Sequence, residues 1–239
     1  MRPQRVLIGK IVFGLAALAA GVGTWKVSKL TSYQFLGEII DRVETSQKVV
    51  ALTFDDGPNP VNSRPLLRLL NKYGAKVTFF MVGKEIEQNF EIAKLVASNG
   101  HQLANHSYTH LRMIFHTAAT LEQEIKRTDE AIRAVGFKDE IMFRAPYGQK
   151  MFALPYVLSK LNKKDILWDV ESRDTANQDP EYLAGRVIKL VKPGSIVVFH
   201  EGGAPKPGTL EAVEKVLKAL SAEGYRFVTV AQLMAYDGK

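Results

Sequence analysis

The chain has no cysteine among its 239 residues. That excludes a disulfide framework, a lipid-modified N-terminal cysteine and any thiolate metal site, so a bound metal would rest on histidine and carboxylate. Neither G-x-G-x-x-G nor G-x-x-x-x-G-K-[ST] occurs, which argues against a nucleotide site. No basic stripe interleaved with aromatics is present, so nucleic acid is not an expected partner. Acidic residues are missing from positions 1–30, which hold Arg2, Arg5, Lys10, Lys26 and Lys29. The formal charge of +7 is therefore concentrated there, and the remainder has 27 basic against 25 acidic residues.

The one long apolar run lies in the same N-terminal stretch, from Ile11 to Trp25. Extended back to Val6 it approaches the roughly 20 residues a bilayer span needs, provided Lys10 snorkels. Two readings fit: an uncleaved signal-anchor, or a signal peptide cut near Ala17-Leu18-Ala19. The lysines after Trp25 and the lack of a polar cleavage region favour the anchor. Either way the chain is expected to be exported, to the periplasmic or cell-envelope side, tethered to the inner membrane or otherwise secreted. The expected organisation is a signal segment at 1–30, a stalk or capping element at 31–47, and one catalytic domain at 48–239.

From Val49 onward apolar runs alternate with amphipathic stretches. Strands are expected at 49–54, 77–82, 102–105, 141–144, 165–170, 195–199 and 225–230. Helices are expected at 65–73, 90–98, 120–135, 152–161, 180–191 and 209–223, several with their own stop or start signals, such as Gly74, Gly136 and the Asp179-Pro180 pair. On the 120–135 helix, Glu122, Glu124, Lys126 and Arg127 read as the exposed face. Alternating βα units imply a parallel sheet. Its unusual polar residues fall at the C-terminal ends of five different strands, which favours a barrel mouth over the single crevice of an open sheet. The expected fold is α/β, a distorted barrel of seven strands.

Those polar residues carry the chemistry. Asp55 and Asp56 stand side by side in LTFDDGPNP, and adjacent like charges are unfavourable unless something cationic lies opposite. HSYTH places His106 and His110 four apart, on the same side of a helical turn. Each feature alone has an ordinary explanation, a turn aspartate or two surface histidines. Together, one carboxylate and two imidazoles make a facial metal set with open positions. The other carboxylate then serves as a base that is not a ligand. His200, after another strand, is a candidate acid, with Asp174 to orient it and raise its pKa. Arg144 is a candidate partner holding Asp55 ionised, or else a structural ion pair. His101 and His116 lack such placement and read as structural or surface residues.

The segments TFDDGP, HSYTH, RAPYG (144–148), WDVESRD (168–174) and VVFH (197–200) resemble, in order and spacing, the motifs of the polysaccharide deacetylases, carbohydrate esterase family 4 with its NodB-homology domain. The resemblance runs from about Val49 to Leu233 and implies a distorted (β/α)7 barrel that hydrolyses N-acetyl groups. It implies Asp55 as catalytic base, Asp56, His106 and His110 as ligands of one divalent metal (zinc, with cobalt, manganese or nickel as alternatives), and Arg144 as the residue positioning the base. Tyr147 matches the backbone N–H donor to the oxyanion, Val198 the wall of the acetyl-methyl pocket, His200 the acid and Asp174 its partner. Three positions depart from the family pattern: Glu171 where Asp is common, Thr175 where Trp often stands, and Glu201 where Asp is frequent.

The expected substrate is an N-acetylglucosamine-containing glycan, peptidoglycan first, with chitin-type oligomers, poly-N-acetylglucosamine or O-acetylated xylan as alternatives. Two other classes fit parts of the pattern. A mononuclear iron oxygenase would use the same ligand set, but has no use for the second carboxylate or the acid. An inactive glycan-binding envelope protein would require a blocked mouth, for which residues 201–208 (EGGAPKPG) are the candidate plug.

Overall fold

The structure is a computed structural model that describes residues 21–34 and 36–239. Most of the expected signal-anchor or signal peptide, including the apolar run up to residue 20, lies outside the described residues. Among the described residues, no helix is long and apolar enough to cross a membrane.

The central strand is β2 (Val49–Gly57), and its alternation organises the molecule. Val50, Leu52 and Phe54 pack outward against helices, while Val49 and Ala51 join Phe80, Ala104, Met142, Ile166 and Ile196 in an inner cluster. A strand buried on both faces reads as a continuous apolar run, as this one does. Each fully buried aliphatic or aromatic side chain contributes about 1.5–3 kcal/mol. The inward phase also contains Thr53 and Asp55, so the polar site grows out of the barrel interior.

Strands β3 (Thr78–Met81), β4 (Gln102–Asn105), β6 (Val170–Glu171) and β7 (Ile196–His200) surround β2 in the order β4-β3-β2-β7-β6, every neighbouring pair parallel. Phe143 bridges Asn105 on one side and Asp165 on the other. Asp165 begins β5 (Asp165–Ile166), which continues along the chain to β6, so the strands form a closed but irregular ring. β8 (Arg226–Phe227) pairs with the first residues of β2. Within 31–47, β1 (Ile39–Ile40) pairs with β5, and Val43 is buried with its N–H donating to the Gly194 carbonyl at 2.9 Å.

From Ser63 onward the helices are α1 (Ser63–Lys72), α2 (Gly83–Gln88), α3 (Phe90–Ser98), α4 (Ala118–Ala134), α5 (Ala153–Lys160), α6 (Pro180–Leu190), α7 (Pro207–Ala222) and α8 (Val230–Met234). The strand expected at 77–82 loses one residue at each end, and three others are cut much shorter, each for an identifiable reason. At 141–144 only Phe143 pairs, because Pro146 removes a donor and turns the chain. The 165–170 strand breaks because the Ile166 and Leu167 carbonyls accept from the Arg144 guanidinium instead of a neighbouring strand. The 225–230 strand stops at Phe227, since Thr229 opens a capping box for α8.

Candidate active site

The two adjacent carboxylates reach one site only because the strand breaks its own alternation. In a regular strand Asp55 points inward and Asp56 outward, toward the helices. The pairing with β3 slips between Asp55 and Gly57, and Asp56 takes a φ of 72°. This bulge turns Asp56 back to the mouth. His110 and Tyr147 also hold left-handed backbone, both at φ 59°. Such strained non-glycine positions concentrate where side chains must be aimed.

Asp55 is buried at the inner wall. Its Oδ1 accepts from Arg144 Nη1 at 2.7 Å, and the same nitrogen donates to Thr53 Oγ1 at 2.7 Å. Arg144 is wholly buried and donates also to the Ile166 and Leu167 carbonyls at 2.9 and 3.0 Å, with its Cζ 3.8 Å from the Phe80 ring centroid. The Thr53 hydroxyl in turn donates to the Val197 carbonyl at 2.7 Å. Removing one partner of such a buried pair typically costs about 3–5 kcal/mol, so Arg144 fixes the barrel wall as well as the Asp55 carboxylate.

Asp56, His106 and His110 converge beside it. Asp56 Oδ1 lies 3.5 Å from His106 Nε2 and 3.0 Å from His110 Nε2, and the three ligand atoms fall within 4.8 Å of one another. His106 Nδ1 faces the Arg144 carbonyl at 2.9 Å. A carbonyl only accepts, so Nδ1 carries the proton and Nε2 offers its lone pair to the mouth. Asp56 Oδ1 is buried without a hydrogen-bond partner. An orphaned carboxylate oxygen facing imidazole nitrogens suits a divalent cation.

The histidine pair is not on a helical turn. Residues 106–110 form an irregular loop after β4, pinned by Glu124 of α4, whose Oε2 accepts from the Tyr108 and Thr109 N–H groups at 3.0 and 2.8 Å. Glu124 is thus half-buried and structural, not part of a purely solvent-facing row. The imidazole rings lie 5.1 Å apart.

Across the mouth, His200 ends β7. Its Nδ1 donates to Asp174 Oδ1 at 2.8 Å and its backbone N–H donates to Asp174 Oδ2 at 2.9 Å. Ser172 and Thr209 hydroxyls also donate to Asp174, at 2.9 and 3.2 Å. Burial would lower the His200 pKa, but the Asp174 carboxylate more than offsets this and raises it. Asp174 itself is held low, its burial outweighed by His200. Tyr147 is 51% exposed on the Pro146–Gly148 turn, with its ring 4.8 Å from His110. Val198, paired with Thr53, shares the inward face two residues before His200. His101 lies elsewhere, buried edge-on to Phe79, and burial followed by Lys76 lowers its pKa to about 4.

The residue pattern did not single out Thr53, Ser172, Thr209 and Glu124, which hold the others in place. Only the inward phase of Thr53 along β2 was a usable signal. Glu201 is fully buried, its carboxyl pushed up to about 8 by burial against the lowering contact of Ser63. Residues 201–206 fold back onto the start of α1, and the mouth stays open, with the Asp56, His110 and His200 side chains 31%, 26% and 20% exposed. The plug that a purely scaffolding protein would require is absent among the described residues.

A βα barrel whose mouth gathers an Asp-His-His set, a second carboxylate and an Asp-backed histidine has the parts of a metal-assisted hydrolase. The sequence profile of the polysaccharide deacetylases matches residues 42–165. A peptidoglycan-N-acetylglucosamine deacetylase of Bacillus cereus is 34% identical over 202 residues, spanning 84% of this chain and 94% of its own. A chitooligosaccharide deacetylase of Azorhizobium caulinodans is 26% identical over 196 residues, spanning 77% and 93%. Among solved structures, a peptidoglycan N-acetylglucosamine deacetylase in complex with an N-oxidanyl-benzamide superposes with a TM-score of 0.78 at 26% identity, over 84% of this chain and 94% of its own. A pseudoenzyme of carbohydrate esterase family 4 from Bacillus anthracis superposes at 0.76 with 25% identity, over 84% and 70%. The chain belongs to the polysaccharide deacetylase family.

Proposed function

We propose that this chain removes N-acetyl groups from an N-acetylglucosamine-containing glycan of the cell envelope, peptidoglycan foremost, and releases acetate. The observation that carries the reading is the division between neighbouring carboxylates: Asp56 Oδ1 faces both imidazole nitrogens, while Asp55 gives Oδ1 to Arg144 and keeps Oδ2 3.8 Å from His106 Nε2, beside the Asp56-His106-His110 set and not part of it. The 34% identical relative named for peptidoglycan supports the choice of polymer.

Asp56, His106 and His110 would hold a divalent cation, zinc being the best match to one carboxylate and two imidazoles, and when bound it supplies Lewis acidity toward a carbonyl and toward water. Asp55, held by Arg144, takes the proton from the attacking water. The Tyr147 N–H donates to the oxyanion that forms at the acetamide carbonyl, a contact of a type that supplies roughly 3–4 kcal/mol. Val198 walls the side of the site where the acetyl methyl rests. His200, kept protonated by Asp174, gives its proton to the departing amine, which leaves as a glucosamine nitrogen. The domain limits 48–239, with export directed by residues 1–30, belong to the same proposal, supported by the basic start and apolar run of that segment.

Asp55→Asn removes the base and keeps the shape. Acetate release from an N-acetylglucosamine oligomer should fall by about 10²–10⁴-fold, the usual worth of a general base, with Zn2+ affinity retained. Undiminished turnover in that variant would contradict the assignment.

A further inference from the structure

Two strand ends carry the reacting groups, and the loops that leave them are shaped by each other. One is Asp55–Gly57 at the end of β2, whose loop runs on to Ser63; the other is His200 at the end of β7, whose loop runs on to Lys206. Asn59 Nδ2 donates to the Gly203 carbonyl at 2.9 Å, and Asn62 Nδ2 donates to the Glu201 and Ala204 carbonyls at 2.8 and 3.0 Å. The Glu201 N–H donates to the Asp55 carbonyl at 2.9 Å. The Ser63 hydroxyl donates to Glu201 Oε2 at 2.6 Å, while Glu201 Oε1 is buried without a partner.

The packing between the loops is closer still. A Cβ on Gly57 would lie 1.7 Å from Glu201 Oε1 and 2.5 and 2.8 Å from its Cδ and Cγ. A Cβ on Gly202 would lie 2.4 Å from Asp56 Cβ and 2.5 Å from the Asp56 carbonyl oxygen. The Glu201 side chain therefore fills the space that Gly57 leaves, and the Asp56 residue fills the space beside Gly202. Both approaches flank the residue whose left-handed backbone aims a carboxylate at the two histidines.

We infer that Glu201 is a positioning residue: its carboxyl, seated on Gly57, sets the turn from which Asp56 projects and locks that turn to the loop leaving His200. The inference rests on the reading of Asp56 as a metal ligand. Glu201 is 2% exposed, with its carboxyl against Ser63 and Gly57 and outside the Asp56-His106-His110 set. A residue that merely filled space would change thermal stability when removed, and leave the affinity of the site for its cation alone.

The test measures Zn2+ affinity by competition with a chromophoric chelator, Tm, and acetate-release kinetics on the full chain and its variants. Glu201→Ala should lower Zn2+ affinity by about 10–100-fold, the range found for residues that orient metal ligands, and should lower kcat with KM little changed. Glu201→Gln should stay close to wild type in affinity, because the amide keeps the shape and can accept from Ser63. Gly57→Ala should weaken Zn2+ binding and Tm in the wild-type background and cost little more in the Glu201→Ala background, where the colliding side chain is gone. Unchanged Zn2+ affinity in Glu201→Ala overturns the positioning role. Additive Tm effects of the two substitutions overturn the interlock. Failure of the wild-type chain to bind Zn2+ would instead contradict the assignment of Asp56, while the Tm cycle would still report on the interlock.

Discussion

His200 and Asp174 give the residue scale its sharpest handle. Burial lowers the His200 pKa and the Asp174 carboxylate raises it above the ordinary 6.5, with the second effect dominant. An acid with a raised pKa stays protonated further up the pH scale, so the alkaline limb of kcat should lie above that of a free imidazole. Asp174→Asn leaves burial unopposed. The alkaline limb should then move to lower pH, with the rate at mildly alkaline pH falling by about 10²-fold or more. A pH profile with the limb unmoved would show that Asp174 does not set the proton affinity of His200. At this scale the sequence was informative wherever the residue type is rare at strand ends, as with Asp55, Asp56, His106, His110 and His200. It was silent about Thr53, Ser172 and Thr209, because hydroxyl residues are common and only the partner, a guanidinium or a carboxylate, reveals what they do.

Among the elements, α4 shows how a helix can serve a site it does not enter. Its buried face of Leu121, Ile125, Thr128 and Ile132 was readable from periodicity. Glu124, one residue before Ile125, has the signature of a surface charge, yet it holds two N–H groups of the loop that presents His110. Glu124→Ala should release that loop and reduce Zn2+ affinity by about 10–100-fold. Glu122→Ala, which breaks only exposed ion pairs with Lys126 and Lys160, should leave it unchanged. Equal affinity in both variants would show that the loop is fixed by other contacts. Strand lengths were the least legible elements, because side-chain demands on carbonyls are invisible in a hydrophobic pattern. The guanidinium that takes the Ile166 and Leu167 carbonyls is the clearest instance. The bulge at Asp56 was equally hidden, since alternation alone would have sent that carboxylate to the wrong face.

For the molecule as a whole, the βα order and the gathering of polar residues at strand C-termini were sufficient to expect a barrel with its chemistry at one mouth. The irregular closure through Phe143, and the packing of β1 under β5, depend on pairings that no local pattern specifies. The same fold carries a pseudoenzyme among its structural relatives, so architecture by itself does not secure activity. The proposed activity rests on a mouth that is open, gathers Asp56, His106 and His110, and sets the proposed base Asp55 and proposed acid His200 on opposite sides. The most direct measurement is acetate release from peptidoglycan and from N-acetylglucosamine oligomers by the full chain, after chelation and again after adding Zn2+. Release that disappears with the chelator and returns with the cation is the predicted result. Release that is indifferent to chelation, or absent from every N-acetylated glycan with Zn2+ bound, would contradict it.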